Sequence, residues 1–460
     1  MRAVAEYERK LDAPVGFRLP PLGGRPLEPR SFTSVYYDVP GGSLATAGIT
    51  LRRRIERRRS LWQLKLPSNG FRLELEEAGG PGRAPEKLRR LLRAHLRRGP
   101  LERVAELRTR RSGELVARNG TRAEVTLDEV SIMDARRVRD RFVEVELELR
   151  SGNPAQLDLL AREVVEAGAQ RGAELPKLFR ALVDDVNREA EPESPLEALR
   201  ARLGEQAREI EAHDPGTRLG RDPESLHDMR VAVRRTRALL RAGRSLTAND
   251  TEELEGLLQE LGQALGAVRD LDVLSERLRA EATGLPDDAR QAFQPLLRQL
   301  GRERSAARRR LLRTLDADAY LDLLDLLERT VSELRPSGDE TTLAVLAERQ
   351  AKKLQKLARS LPNEPSDEQL HELRKAGKRT RYAAELAGKT RVVRRAKRLQ
   401  DVLGEHQDAV VAGRRLRELA AGAEPEQAFA AGRLAEREDA RRAEVRGMWA
   451  KAWKRLRQAL

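Results

Sequence analysis

From residue 1 to about residue 150, apolar and polar positions alternate with period two in short runs, the pattern of β-strands. The runs are Tyr36-Tyr37-Asp38, Ile49 to Ile55, Leu61 to Leu66, Phe71 to Leu75, Ala123 to Val130 and Phe142 to Leu149. Pro40-Gly41-Gly42 and Asn119-Gly120 supply turn signals between them. Leu88, Leu91, Leu92 and His95 fall at helical spacing and predict a helix from Pro85 to Arg97. A second helix is expected from Pro154 to about Ala167. After Asn187 the pattern changes. Glu189 to Pro195 is polar and contains proline, the composition of a linker. From there to Leu460, Leu, Ala, Arg and Glu recur with helical period, which predicts an all-α bundle. Breaks are expected at Asp214-Pro215-Gly216, Leu285-Pro286, Pro336-Ser337-Gly338 and Leu361-Pro362-Asn363. The chain reads as an α+β multidomain protein: one domain over 1–188, a linker over 189–196 and a helical domain over 197–460.

The helical region repeats itself. His227-Asp228-Met229-Arg230 returns as His371-Glu372-Leu373-Arg374, and Leu265-Gly266 followed by Asp270 returns as Leu403-Gly404 followed by Asp408. Two features in the same order indicate a duplication.

Composition narrows the chemistry. With no Cys, disulfides, thiolate metal sites and a Cys nucleophile are excluded, and five His leave little for a zinc cluster. Every apolar run is short and broken by charge, so no membrane span is expected. The first residues, Met1-Arg2-Ala3-Val4-Ala5-Glu6, have no apolar leader core, and the cytoplasm is the expected compartment. A net charge of +15 points to an anionic partner. Residues 371–400 hold eleven Lys/Arg against only Glu372 and Glu385, a local field rather than an even surface. Aromatic residues make up only 3% of the chain, which disfavours a nucleic acid gripped by base stacking. Phosphate without bases is the expected anion.

In the strand region, charges sit two apart. Glu6, Glu8 and Lys10 share a strand face. So do Arg52 and Arg54; Gln63 and Lys65; Arg72, Glu74 and Glu76; Glu124, Thr126 and Asp128; and Glu144, Glu146 and Glu148. On one strand this would be the wet side of a half-buried sheet. Acidic and basic sets on different strands instead suit a closed sheet with a polar lumen. Arg and Lys there could hold phosphate oxygens, while carboxylates could hold Mg²⁺ or Mn²⁺, hard ions that bridge to phosphate and orient water.

Glu6-x-Glu8-x-Lys10 resembles the ExExK signature of the CYTH superfamily, the triphosphate tunnel metalloenzymes. The resemblance extends through Tyr36-Tyr37-Asp38, Ala47 to Arg54, Trp62 to Pro67, Arg72-x-Glu74, Leu127-Asp128-x-Val130 and Glu144-Val145-Glu146-Leu147, covering roughly residues 1–185. It implies an antiparallel eight-stranded β-tunnel with helices that hydrolyses or cyclises triphosphates. Glu6, Glu8, Glu144 and Glu146 match the family's metal-binding acids, and Glu74 and Asp128 match further acidic positions. Lys10, Arg52, Arg54 and Lys65 match its phosphate-binding bases. Arg111 is a candidate for a later basic position, with Arg108 and Arg110 competing. A late Ser-Lys pair of the family stands here as Pro176-Lys177, which makes Lys177 a further candidate. Glu6, Glu8, Lys10 and Glu146 are the expected catalytic set. The family also contains thiamine triphosphatases and adenylate cyclases, which need a pocket for an organic group. Trp62 and Tyr7 are the aromatic residues near the motifs, and no evident aromatic clamp is present, so inorganic triphosphate is the simpler substrate.

In the helical region, His227, Arg230, Arg234, Arg237 and Arg241 fall on one helix face, and His371, Arg374, Lys378 and Arg381 repeat the register, flanked by Lys375 and Arg379. Like charges at such spacings repel, and an anion would relieve them. A His at the head of each stripe could strengthen binding as pH falls. The His-x-x-Arg helices with Leu265-Gly266-x-x-Arg269-Asp270 and Leu403-Gly404-x-His406-Gln407-Asp408 resemble the CHAD domain, over roughly 197–455. That resemblance implies two duplicated four-helix bundles with a basic surface for inorganic polyphosphate, and association with polyphosphate granules. The competing reading is a granule adaptor whose tunnel is catalytically silent.

Overall fold

The computed structural model describes residues 1–57, 59–68, 71–171, 194–338 and 342–460. The chain divides into two compact units, Met1–Glu189 and Ala190–Leu460.

The first unit is one antiparallel sheet. Its strands are β1 (Arg2–Glu6), β2 (Glu8–Ala13), β3 (Arg25–Pro26), β4 (Arg30–Asp38), β5 (Thr50–Glu56), β6 (Arg59–Ser68), β7 (Phe71–Ala78), β8 (Glu102–Arg118), β9 (Thr121–Asp134), β10 (Arg137–Ser151) and β11 (Gln170–Arg171). Helices α1 (Ser43–Thr46), α2 (Glu86–Leu91), α3 (Arg93–Leu96) and α4 (Pro154–Glu166) complete the unit. The strand order is β1-β7-β6-β5-β4-β8-β9-β10-β2-β11, with β3 on β8. Only Tyr7 separates β1 from β2. β1 pairs with β7 and β2 with β10, so one bent strand joins both edges and closes the sheet into a tunnel. Counted as a single strand beside β4 to β10, it makes eight around the tunnel, as expected.

Closure decides which face is wet. Leu51, Leu64, Leu75, Val125, Val145 and Leu147 point outward, yet all are fully buried. Leu157, Leu160 and Val164 of α4 cover part of this outer face. The charges two apart therefore face inward, the reverse of a half-buried sheet. Trp62 shows the same inversion: it is fully buried, 4.8 Å from the Tyr37 ring, and donates Nε1–H to the Gly80 carbonyl at 3.1 Å.

Two local features differ from the sequence reading. The helix expected over Pro85–Arg97 is split into α2 and α3, ending at Arg97 with φ 51°, although Leu88, Leu91, Leu92 and His95 are buried as their spacing required. β8 was not visible in the pattern, because Arg108, Arg110 and Arg111 put charge on both of its faces. Asn119 and Gly120, at φ 49° and 71°, make the tight hairpin that fixes the β8–β9 register.

The second unit is all helical: α5 (Pro195–Leu219), α6 (Pro223–Gly243), α7 (Glu252–Ala282), α8 (Asp287–Asp316), α9 (Asp318–Ser332), α10 (Leu343–Arg359), α11 (Asp367–Leu386), α12 (Thr390–Ala420), α13 (Pro425–Arg446) and α14 (Trp449–Arg457). Helices α5 to α8 pack in succession, and α10 to α13 repeat the arrangement. Leu274, Leu278, Phe293 and Leu300 of the first half share a core with Ala412, Leu416, Ala430 and Leu434 of the second. The break expected at Asp214-Pro215-Gly216 is absent: α5 runs through it and stops at Gly220, with φ 66°. The Pro costs about 3 kcal/mol inside a helix. Here tertiary contacts hold that turn, because Arg218 binds buried Asp214 and Asp316, both at 2.6 Å, and the Leu315 carbonyl. Among the described residues, no helix is long and apolar enough to cross a membrane.

Candidate active site and anion-binding cleft

The tunnel encloses a cavity of about 350 Å³, and charged side chains from all eight strands of the tunnel, β1–β2 counted as one, line it. On one wall, Asp128 of β9 and Glu144 and Glu146 of β10 bring carboxylate oxygens within 4.8 Å of one another. Cross-strand register explains the grouping: Asp128 lies between Arg111 of β8 and Glu144 of β10. Arg111 donates from Nε to Asp128 Oδ1 at 2.6 Å and from Nη2 to Oδ2 at 2.5 Å, and Nη2 also meets Glu146. Lys10, in register with Glu146, places Nζ 3.1 Å from it and 3.7 Å from Glu8. Burial works against the Lys10 ammonium, but Glu146, Glu8 and Glu144 outweigh it and hold the pKa above the usual lysine value.

Another wall carries a second set. Lys65 pairs with Glu6 at 2.5 Å and Glu74 at 3.0 Å. Burial is the largest influence on Glu6 and pushes its carboxyl up. Burial also pulls Glu74 upward, but Lys65, Glu6 and Arg52 outweigh it and Glu74 stays below the usual carboxylate range. Arg52 donates Nε–H to Gln63 at 2.9 Å and lies 3.4 Å from the Tyr36 hydroxyl. Arg54 stacks 3.7 Å over the Phe32 ring, and burial together with Arg52, Arg111 and Arg30 lowers its pKa despite Glu56. Several guanidinium groups therefore face one lumen with their repulsion only partly cancelled.

The lumen brings together Glu6, Glu8, Lys10, Arg52, Arg54, Lys65, Glu74, Arg111 and Glu146, while Asp128 and Glu144 are buried in its wall. Of the three arginines, Arg111 is the one turned into the lumen: its side chain is 13% exposed, against 58% for Arg108 and 76% for Arg110, which pair outside with Glu106 and Glu129. Lys177 lies outside the described residues. Arg2, Arg30 and Arg150 also line the cavity and were missed. Parity would have found them, since each stands at an even step from Glu6, Tyr36 or Glu148. Tyr7 packs against Phe71 at 5.5 Å and, like Trp62, is not part of the lining.

In the helical unit, α6 and α11 pack against each other. His227, Arg230 and Arg234 then share a cleft of about 490 Å³ with Arg374, Lys378 and Arg381, joined by Arg269 and Arg277 of α7. The rest of each stripe goes elsewhere. Arg237 donates to Gln259 at 2.6 Å, Arg241 to Glu255 at 2.7 Å, and Lys375 pairs with Glu372 at 2.8 Å. Arg379 is exposed, and His371 Nδ1 sits 2.9 Å from Gln407 Oε1. The repeated glycines lie beside the repeated arginines: a Cβ on Gly266 would come to 3.4 Å from Arg230 Nε, and one on Gly404 to 3.7 Å from Arg374. Burial, then Arg374, Arg234, Arg230 and Arg381, push the Lys378 ammonium down to about 7. Burial and Arg269 also hold the His227 imidazole below its ordinary value.

A closed antiparallel tunnel with acids and bases inside, followed by helices that present duplicated basic faces, defines a triphosphate tunnel enzyme fused to a helical basic module. Residues 5–175 match the CYTH domain and residues 201–417 the CHAD domain, and the chain belongs to the family that joins the two. It is 31% identical over 450 residues to Uncharacterized protein Rv2226 of Mycobacterium tuberculosis, covering 88% of this chain and 86% of that one. Among solved structures, PptA from Streptomyces chartreusis is 24% identical at a TM-score of 0.49, over 56% of this chain and 99% of that one. The CHAD domain from the plant Ricinus communis is 28% identical at a TM-score of 0.44, over 58% and 90%.

Proposed function

We propose that the tunnel hydrolyses inorganic triphosphate with Mg²⁺ or Mn²⁺, and that the helical cleft holds inorganic polyphosphate. One observation carries the choice of substrate. Among the described residues, Tyr36 is the one aromatic side chain in the lining of the tunnel cavity, and its hydroxyl is already turned to Arg52. A nucleobase or a thiamine ring has no flat apolar surface to lie on there, whereas a bare phosphate chain needs none.

Asp128, Glu144 and Glu146 offer hard oxygen donors close enough to share one ion, which fits Mg²⁺ or Mn²⁺. Such an ion, when bound, would polarise a phosphoryl oxygen and orient water. Lys10, Arg52, Arg54, Lys65 and Arg111 would hold the phosphate oxygens, Arg by its fork and Lys as a point charge. Attack of water on a terminal phosphorus forms one P–O bond and breaks one anhydride bond, releasing orthophosphate and pyrophosphate. Glu6, Glu8 and Glu74 would keep Lys10 and Lys65 charged and placed. In the cleft, Arg230, Arg234, Arg374, Lys378 and Arg381 would grip a polyanion whose charge cancels their mutual repulsion.

The test is a panel of tripolyphosphate, thiamine triphosphate, ATP and long-chain polyphosphate with each metal. Release from tripolyphosphate should dominate. Faster turnover of ATP or thiamine triphosphate would overturn the substrate reading, and no turnover of any would favour the silent-tunnel adaptor.

A further inference from the structure

The acid trio already carries a cation, and that cation is a side chain. Arg111 forks onto both oxygens of Asp128 and reaches Glu146 with the same Nη2. Its guanidinium therefore covers two of the three carboxylates whose oxygens lie within 4.8 Å of one another. A dication ligated by Asp128 and Glu146 would need the same lone pairs. Lys10 lies against Glu146 and Glu8, at 3.1 and 3.7 Å.

We infer that Arg111 is a gate on the cation site: it occupies Asp128 and Glu146 when phosphate is absent and transfers to phosphate oxygens when a dication enters. The inference rests on the metal-site reading above. Its direction comes from the neighbours. Arg54 and Arg111 approach the same Phe32 ring, at 3.7 Å and 5.5 Å. Arg30 also lines the lumen. An Arg111 that left the acids would move among these guanidinium groups and be repelled. A phosphate chain lying between them removes that repulsion and offers the fork a new partner. A dication alone is thus opposed, a dication with phosphate is favoured, and by linkage each promotes the other. Arg111 is a positioning residue for the ion before it is a ligand of the substrate.

Mn²⁺ binding to the full chain in phosphate-free buffer, followed by electron paramagnetic resonance, tests this without reference to turnover. Arg111→Gln should bind Mn²⁺ tighter than wild type by about 5- to 150-fold, the usual range of coupling between linked sites. Arg54→Gln removes the same charge from the lumen at a residue that pairs with Glu56, so its gain should be much smaller. Adding Glu144→Gln to Arg111→Gln should remove the gain. Equal gains in Arg111→Gln and Arg54→Gln, or a gain that survives Glu144→Gln, overturns the gate. Wild-type affinity in Arg111→Gln overturns it too and leaves the metal-site reading standing. Absence of Mn²⁺ binding in both folded proteins overturns both. Should Arg111→Gln not fold, Arg111→Lys keeps the charge but cannot fork. It should tighten binding to a lesser degree, and unchanged affinity there also overturns the gate.

Discussion

Glu146 stands between two bases, 3.1 Å from Lys10 and in contact with Arg111. It is both a candidate ion ligand and the charge that holds those bases in place. Glu146→Ala should lower phosphate release from tripolyphosphate by at least about 100-fold, the scale of losing one preorganised charge at the reacting group. Circular dichroism should be unchanged, since Lys10 keeps Glu8 and Arg111 keeps Asp128. Lys378 gives a pH prediction. Its folded pKa is about 7, whereas an unfolded lysine titrates near about 10.4. Between those values the unfolded chain binds a proton that the folded chain lacks. The burden on stability from this group is therefore full below about pH 7 and fades as pH rises toward 10.4. A bound polyanion restores the ammonium, so binding takes up a proton. Polyphosphate affinity should fall between about pH 7 and 9, at most about tenfold per pH unit. Lys378→Met should flatten that profile in a titration of the dissociation constant. His227, held neutral by burial and Arg269, adds little to the field near neutral pH.

At the scale of elements, β8 and α5 show where local pattern loses to tertiary contact. Gly113 lies in β8 opposite Thr126, and a Cβ there would stand 2.2 Å from the Val125 carbonyl and 2.8 Å from Thr126 Cα. The obstacle is backbone, so the β8–β9 pair would have to open. Gly113→Ala should cost about 1–3 kcal/mol, as overpacking does. Because Arg111 is two residues away on the same strand face, phosphate release should fall with it; thermal melting and the tripolyphosphate assay read the two effects. In α5, Arg218 neutralises fully buried Asp214, and the pair holds the turn around Pro215. Arg218→Ala should lower unfolding free energy by about 3–5 kcal/mol, the cost of stranding a buried charge, measured as a shift in the urea midpoint. Neither feature could be read along the chain. β8 has charge on both faces and so no alternation, and Asp214-Pro215-Gly216 is a breaker by every local rule. The spacing of Leu88, Leu91, Leu92 and His95 revealed the buried face of α2 and α3, but not the break between them.

For the whole molecule, a charge of +15 and a cleft lined by seven Lys/Arg against three Asp predict a salt effect. Polyphosphate binding should weaken steeply between about 50 and 200 mM salt, through counterion release of the kind known for nucleic acids. Replacing Arg234, Arg374 and Lys378 together by Gln should lower that slope, and RNA should compete poorly for the wild-type cleft. The sequence by itself determined the parts whose logic is local. Glu6, Glu8 and Lys10, Arg52 and Arg54, and Glu144 and Glu146 share faces because strand side chains alternate. His227, Arg230 and Arg234 align because a helix turns every 3.6 residues. Tertiary structure decided the rest. The bent β1–β2 strand closed the sheet and turned charged faces inward, which no single strand specifies. It turned Arg111 rather than Arg108 or Arg110 into the lumen, in cross-strand register with Asp128. Packing of α6 on α11 joined two half-stripes into one cleft, while Gln259 and Glu255, both from α7, drew Arg237 and Arg241 away. Periodicity fixes which side chains share a face, and only the fold fixes what that face meets.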